Sequence, residues 1–392
     1  MLLTIITFII VLSILVFAHE LGHFMMARKF GVKAEEFGFG FPPRLFGVYK
    51  NNQGRKKIVW GAKEVSDCPG TVYSINWLPL GGFVKIKGEN GPSASSGLVE
   101  DDNSFAGRPI WQRAFMLSAG VVMNIILAAV LISAGFMIGL PQALDGQPDA
   151  RAHISDKKIQ IAQVIKNTPA ESAGLQVGDT ILSIDNNSFF NYQELQNYVA
   201  ANIGHKLAYK IKRGQDLIKA EIVPELMKET NKGGIGVAIS ETGLVSYPWY
   251  WAIWQGVKTT LILTWSIIIA FYELIKNLIF GRGVTADLSG PVGIATLTGQ
   301  VARLGFVYLL QFTALLSINL AVINFFPFPA LDGGRVLFLI IEKIKRSPVK
   351  KELEGMIHNI GFALLMILIL LVTFRDVSRF GGFFKNILGK IF

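Results

Sequence analysis

The chain has 392 residues, 51% of them hydrophobic and only 17% charged, and its mean hydropathy is +0.43. A soluble domain averages about 25% charged, so part of this chain lies outside water, which excludes a disordered protein, a coiled coil and an ordinary cytosolic enzyme. One cysteine, Cys68, excludes a disulfide scaffold and a cysteine-built zinc finger, and a net charge of +10 in so apolar a chain points to basic cytoplasmic loops rather than to nucleic acid.

Residues 1–18 carry no charge until His19 and Glu20. A spanning helix needs about 20 apolar residues, so 1–30 reads as the first transmembrane helix. Arg28 and Lys29 follow the apolar run instead of preceding it, unlike a signal peptide, and this bias puts Met1 outside and the next loop inside. That loop, 31–113, is rich in Lys and Arg. Its stretch Phe83-Val84-Lys85-Ile86-Lys87 alternates after Gly81-Gly82 and predicts a β-hairpin. Residues 114–140 are uncharged and give the second helix.

From 152 to 240 the composition becomes that of a soluble α+β insert. A short helix begins at Ala170 and ends near Gly174, a turn forms at Gly178-Asp179, and an alternating strand follows. Residues 192–201 read as a helix, and 207–212 and 219–223 as strands around the Gly214 turn. Residues 248–280 hold Trp249, Trp251, Trp254 and Trp265, with Lys258 and Glu273 bracketing a short uncharged run. Tryptophan favours the membrane–water boundary, so this segment reads as an amphipathic helix lying on the membrane. Residues 304–334 and 357–374 give the third and fourth spanning helices, and 375–392 a tail. The fold class is thus a mainly α membrane protein with four transmembrane helices, a membrane-associated β-hairpin loop and an inserted α+β domain.

His19-Glu20-Leu21-Gly22-His23 is an H-E-x-x-H sequence. Residues four apart share a helix face, so both imidazoles can reach one ion, and zinc favours nitrogen ligands. Glu20 can then take a proton from the attacking water. Chance expectation for the pattern in a chain of this composition is ~0.003. The bland alternative is two histidines at the cytoplasmic end of a membrane helix. A catalytic zinc needs a third protein ligand, and the candidate is Asp332, which closes Asn324-Phe325-Phe326-Pro327-Phe328-Pro329-Ala330-Leu331-Asp332-Gly333-Gly334. Pro327 and Pro329 break the helix there, and irregular backbone at membrane depth must line protein or a wet cavity. Without the H-E-x-x-H, Asp332 would read as a helix cap. His358 opens the fourth span and reads as an interfacial histidine, with ligation as the other reading. His153 and His205 read as solvated surface.

Together these residues resemble the site-2 proteases, and within them the bacterial regulator-of-sigma-E type of intramembrane zinc protease. The resemblance rests on residues 19–23, on Leu80-Gly81-Gly82-Phe83-Val84-Lys85, on Leu288-Ser289-Gly290-Pro291-Val292-Gly293 and on residues 324–334, with the insert at 152–240 similar to a circularly permuted PDZ domain. It implies His19, His23 and Asp332 as ligands of one zinc ion, Glu20 as catalytic base, and Asn324 as a contact to substrate backbone. Asn124 would be a second substrate contact, although Gly120-Val121-Val122-Met123-Asn124 lacks the proline of the family's G-P-x-x-N. The hairpin would dip into the membrane, where Gly82, Phe83 and Val84 could pair with an unwound substrate as an added strand; a hairpin that only anchors the loop is the alternative. Gly234-Ile235-Gly236 resembles a PDZ carboxylate-binding loop, against the alternative of a closed domain that screens substrates by size.

The resemblance further implies a multi-pass protein of the bacterial cytoplasmic membrane with its PDZ-like domain outside. Its substrates would be single-span membrane proteins already shortened by another protease, such as anti-sigma factors, or signal-peptide remnants. With Met1 outside, residues 19–23 lie towards the cytoplasm. A full span at 248–280 would put Asp332 on the opposite face, across about 30 Å of hydrocarbon. The competing functions are a PDZ scaffold that binds exposed protein tails without cutting them and a metal-ion transporter.

Overall fold

The protein is described from a computed structural model, over residues 2–89, 103–144, 149–214, 216–227, 232–281, 289–347 and 349–379. Met1, Leu288 and residues 380–392 of the tail lie outside the described residues. The chain divides into two units. One comprises Met1–Leu131, Val257–Ala302 and Phe312–Phe392; the other comprises Ile132–Gly256 and Arg303–Gln311.

The first unit opens with α1 (Leu2–Lys29). The helix stops where Gly31 turns to φ +71, with Val32 N–H donating to Ala27 O and Gly31 N–H to Arg28 O. This is a Schellman closure, and Arg28 and Lys29 in the last turn complement the helix dipole. A three-stranded antiparallel sheet follows, in the order β2 (Lys56–Trp60), β1 (Ala34–Lys50), β3 (Val72–Ile86). The two arms of β3 flank the start of β1, since Phe37 is in register with both Tyr73 and Val84. The expected hairpin is therefore one arm of a larger sheet. Within β1, burial pushes the Glu36 carboxyl up, but its paired contact with the Arg44 guanidinium outweighs that and holds it below the usual range.

Two glycines let β3 cross α1 closely. A Cβ on Gly81 would come within 2.4 Å of Val16 Cβ, and one on Gly82 within 3.0 Å of the Phe17 Cα. Ser13 Oγ stitches the two elements, donating to Pro79 O at 2.8 Å and accepting from Gly81 N–H at 3.3 Å. Helix α2 (Ile110–Ile138) packs on α1 where Gly22 meets Ala119; a Cβ on Gly22 would stand 2.3 Å from the Ala119 carbonyl oxygen.

The second unit carries a six-stranded antiparallel sheet in the order β4 (Leu140–Ala143), β11 (Val237–Ser246), β5 (His153–Val164), β6 (Thr180–Ile184), β7 (Leu207–Arg213), β8 (Asp216–Ile222). A short hairpin, β9 (Glu225–Met227) with β10 (Lys232–Gly234), precedes β11. Helices α3 (Pro169–Ser172) and α4 (Tyr192–Ala201) cover a core that includes Ile161, Ile184, Leu195, Tyr209 and Ile211. Asn191 caps α4 by accepting the Glu194 N–H at 2.8 Å. The Gly178-Asp179 turn is pinned by a two-point bond from Arg213 to the buried Asp179, both contacts at 2.7 Å.

Helix α5 (Trp249–Ile279) is a single 31-residue helix, and α6 (Pro291–Leu304) follows. Buried Asp376 receives the Gly293 N–H in the first turn of α6 at 2.8 Å. This is where Ser289-Gly290-Pro291-Val292-Gly293 acts: a Cβ on Gly290 would stand 2.9 Å from Asp376 Oδ2. Gly305 separates α6 from α7 (Phe306–Phe325), and α8 (Asp332–Lys345) and α9 (Lys351–Arg379) close the described chain. Among the described residues, α1, α2, α5, α7 and a stretch of α9 are long and apolar enough to cross a membrane, making five candidates where the sequence suggested four. At 1.5 Å per residue α5 extends about 46 Å, so length alone does not keep it out of the bilayer.

Candidate metal centre

The first unit brings the two histidines of α1 to the first residue of α8. His19 Nε2 lies 2.9 Å from Asp332 Oδ2, His23 Nε2 lies 3.1 Å from His19 Nε2, and His23 Nε2 lies 3.4 Å from Asp332 Oδ2. Three ligands of a tetrahedral zinc at 2.0–2.1 Å stand about 3.3 Å apart, so the triangle has the size the ion requires. Both histidines are buried. Among the described residues these three form the group of His, Cys, Asp and Glu side chains able to converge on one ion.

The surroundings fit an ion as well. His23 Nδ1 lies 2.8 Å from Met116 O, so that nitrogen carries the proton and Nε2 keeps its lone pair for a metal. The Asn124 amide nitrogen stands 3.3 Å from His19 Nδ1, while its Oδ1 is buried without a partner. Turning the amide over places Oδ1 on the His19 Nδ1–H. It satisfies the orphaned oxygen and frees His19 Nε2 to ligate. One turn earlier, Gly120 leaves space that a side chain would fill: its Cβ would stand 2.4 Å from His23 Nε2 and 2.7 Å from His19 Nε2.

The cavity in front of the triangle is about 420 Å³, and its wall includes Glu20, Gly82, Phe83 and Val84 with the three ligands. Sequence reasoning thus named residues far apart in the chain that share one wall. Three further residues take these places. Asn124 is fully buried beside His19. Asn324 is half-buried on the last turn of α7 and is not among the residues lining the cavity. His358 uses Nδ1 to accept the Ala330 N–H at 2.8 Å and is outside the ligand group. The role of Gly120 was missed, because a glycine in an apolar span reads as helix packing until the histidines opposite it are known.

Gly234, Ile235 and Gly236 belong to the second unit. They line a cavity of about 670 Å³ with Leu195 and Val199 of α4. The loop is held by its carbonyls, Ile235 O accepting the Ala170 N–H and Gly236 O the Ile165 N–H, both at 2.9 Å. β4 covers β11 from Thr242 to Val245 only. Between Val237 and Ile239 the outer edge of β11 has no strand partner among the described residues.

The profile of peptidase family M50 matches residues 7–368. The chain is 31% identical to the regulator of sigma-W protease RasP of Bacillus subtilis, over 96% of this chain and 98% of that protein. It is also 31% identical to the zinc metalloprotease RasP of Geobacillus kaustophilus, with the same coverage of both chains. Among solved structures, the PDZ domain of the SdrC-like protein from Listeria monocytogenes aligns with 22% of this chain and 92% of its own, at 25% identity and a TM-score of 0.21.

Proposed function

This chain belongs to peptidase family M50, and from that membership we propose that its His19–His23–Asp332 centre hydrolyses peptide bonds in or beside the membrane segments of single-span proteins. The protein is an integral membrane zinc metalloprotease. The observation that carries the reading is the ligand triangle opening on a cavity walled by Glu20 and by one arm of β3. Zinc bound there supplies Lewis-acid polarisation of the scissile carbonyl. Glu20 takes the proton of the attacking water and hands it to the leaving amine. Asn124 and Met116 hold the two imidazoles in the ligating tautomer. Asn324, on the last turn of α7 and off the cavity wall, meets the substrate backbone beyond that cavity. Cleavage of a tagged single-span protein by the purified chain, abolished by a zinc chelator and restored by zinc, tests the reading. Binding of protein tails without any cleavage would favour a PDZ scaffold instead.

A membrane helix resists cleavage because its carbonyls are already bonded. The β3 arm supports a route past this, for at residues 82–86 its second edge has no strand partner among the described residues, and the arm lines the cavity. A substrate segment pairs there as an added strand. Consecutive N–H groups on a strand point to opposite edges, so of Phe83→Pro and Val84→Pro one disturbs pairing with β1 and the other removes a donor from the free edge. The variant that retains wild-type thermal stability and zinc content is expected to cleave at least about tenfold more slowly, since a lost backbone bond in a buried site costs roughly 1–3 kcal/mol. Unchanged cleavage by that variant would refute strand addition.

The metal centre also bears on topology. Asp332 follows α7 closely and meets the last third of α1, which supports α1 and α7 running in the same sense. With α2 returning between them, the segment from α5 to α6 then makes no net crossing. We therefore place α5 along the outer surface, with four spans, the PDZ-like domain outside and the cytoplasmic membrane of a bacterium as the site. A tag inserted after Arg282 is expected to be reached by a membrane-impermeant label from outside; labelling only after the cytoplasmic face is opened would sink the four-span arrangement.

The substrates are proposed to be single-span proteins already shortened by another protease, anti-sigma factors or signal-peptide remnants among them. The open edge of β11 from Val237 to Ile239, beside Gly234-Ile235-Gly236, supports capture of such a new terminus.

A further inference from the structure

The turn that delivers Asp332 is gripped by a histidine that the metal centre leaves unused. Between α7 and α8 the chain passes Pro329 and Ala330, and Ala330 sits at φ +79, a left-handed conformation that a residue with a Cβ seldom adopts unsupported. Its N–H donates to Nδ1 of His358 on α9, at 2.8 Å. An amide N–H can only donate, so Nδ1 carries the lone pair and the ring proton sits on Nε2. Glu354 Oε1, one turn earlier on α9, stands 4.0 Å from Nε2, beyond hydrogen-bond reach but of the sign that favours a proton there.

The same face of α9 holds the neighbouring residue of the turn. A Cβ on Gly361 would stand 2.4 Å from Pro329 Cβ and 2.7 Å from its carbonyl oxygen, so only glycine lets Pro329 lie this close. Phe338 of α8 packs against the His358 ring, with centroids 5.5 Å apart. His358 therefore touches the turn before Asp332 and the helix that Asp332 begins. Its Nδ1 lone pair is already engaged, which removes that nitrogen as a ligand atom.

We propose that His358 is a positioning residue of the metal centre: by accepting the Ala330 N–H it fixes the Pro329-Ala330 turn, and through that turn the direction of the Asp332 carboxylate. This rests on Asp332 being a metal ligand. Groups that orient a ligand without touching the metal change metal affinity by about 10–100-fold when removed. What His358 supplies is one acceptor at one place, and that separates it from a residue that only fills space.

The test uses the full chain in detergent as wild type, His358→Asn, His358→Gln and His358→Leu, with Asp332→Ala as reference, each loaded with zinc or with cobalt(II). Asparagine places its amide oxygen where Nδ1 stands; glutamine places it where Nε2 stands. The readouts are the rate of metal loss to a chelator, the visible absorption of the cobalt form, and the unfolding temperature of the metal-free form. His358→Asn is expected to release metal within about threefold of wild type and keep the cobalt spectrum. His358→Gln and His358→Leu are expected to release it about tenfold faster or more, with an altered spectrum. Equal release by the Asn and Gln variants would overturn the inference; should the Leu variant not fold, this pair alone decides. Wild-type metal retention by Asp332→Ala would overturn the ligand assignment itself, and loss there with wild-type behaviour in all His358 variants would remove only the positioning role.

Discussion

Glu20→Gln, purified with its zinc in place, is expected to cleave a tagged single-span substrate about 10²–10⁴-fold more slowly than wild type, the usual contribution of a positioned general base. Glu20 is next in sequence to the first ligand, and its side chain lies on the cavity wall with His19, His23 and Asp332. The amide has the size of the carboxylate and keeps the packing that Gly82 permits, where the Glu20 Cβ and Cγ lie 3.2 and 3.3 Å from the position a Gly82 Cβ would take. It cannot accept a proton. An interaction made only in the transition state lowers kcat and kcat/KM together, so KM should stay near the wild-type value and zinc content should remain at one per chain. Progress curves with metal analysis of the same preparations check all three. Full activity of Glu20→Gln at unchanged zinc would move the base elsewhere, and Glu89, on the same wall, would be the next carboxylate to test.

The chemistry was legible in the sequence because ligand spacing is dictated by the helix. Two histidines four apart must share a face wherever their helix sits, and the carboxylate after an apolar run needed a partner. The irregular stretch after α7 was legible for a similar reason, since Pro327 and Pro329 cannot continue a helix. The uncharged run from 304 to 331 nonetheless read as one long segment. The structure separates α6 at Gly305, ends α7 at Phe325 and begins α8 at Asp332. Hydropathy does not register such breaks, because the residues on either side are equally apolar. The length of α5 was hidden by the opposite effect: Lys258 and Glu273 interrupt its composition but not its backbone. Least visible were residues whose role exists only across an interface. Nothing in the sequence tells that Asn124 lies beside His19, or that the Ala330 N–H donates to His358 Nδ1. Pairing of that kind depends on tertiary placement, which no local pattern in the chain encodes.

Gly120→Ala is expected to leave the protein folded and without metal, with zinc below about one-tenth of an equivalent and no measurable cleavage. The added methyl would stand 2.4 Å from His23 Nε2, 2.6 Å from His19 Cε1 and 2.7 Å from His19 Nε2. None of these is the free end of a flexible side chain. They are ring atoms of buried residues, one of them held at its far nitrogen by Met116 O. Separating the helices would sacrifice the close backbone packing of α1 on α2 at Gly22 and the Ala119 carbonyl. Relief must come from rotating the imidazoles off the position where three ligands converge, and a zinc site that loses its convergent geometry loses most of its affinity. Gly135→Ala on the same helix is the control: its nearest neighbour is the terminal Cδ1 methyl of Leu140 at 2.4 Å, and no residue of the metal centre is among the atoms its Cβ would meet, so that variant should keep zinc and activity. Metal content, cleavage rate and thermal unfolding of the two variants separate the explanations. Zinc loss in both would indicate general damage to α2, whereas retention in Gly120→Ala would mean that the ion does not sit between His19, His23 and Asp332. The proline missing from Gly120-Val121-Val122-Met123-Asn124 then has a simple reading: the glycine makes room for the ligands and the asparagine orients one of them, and neither task needs a proline between them.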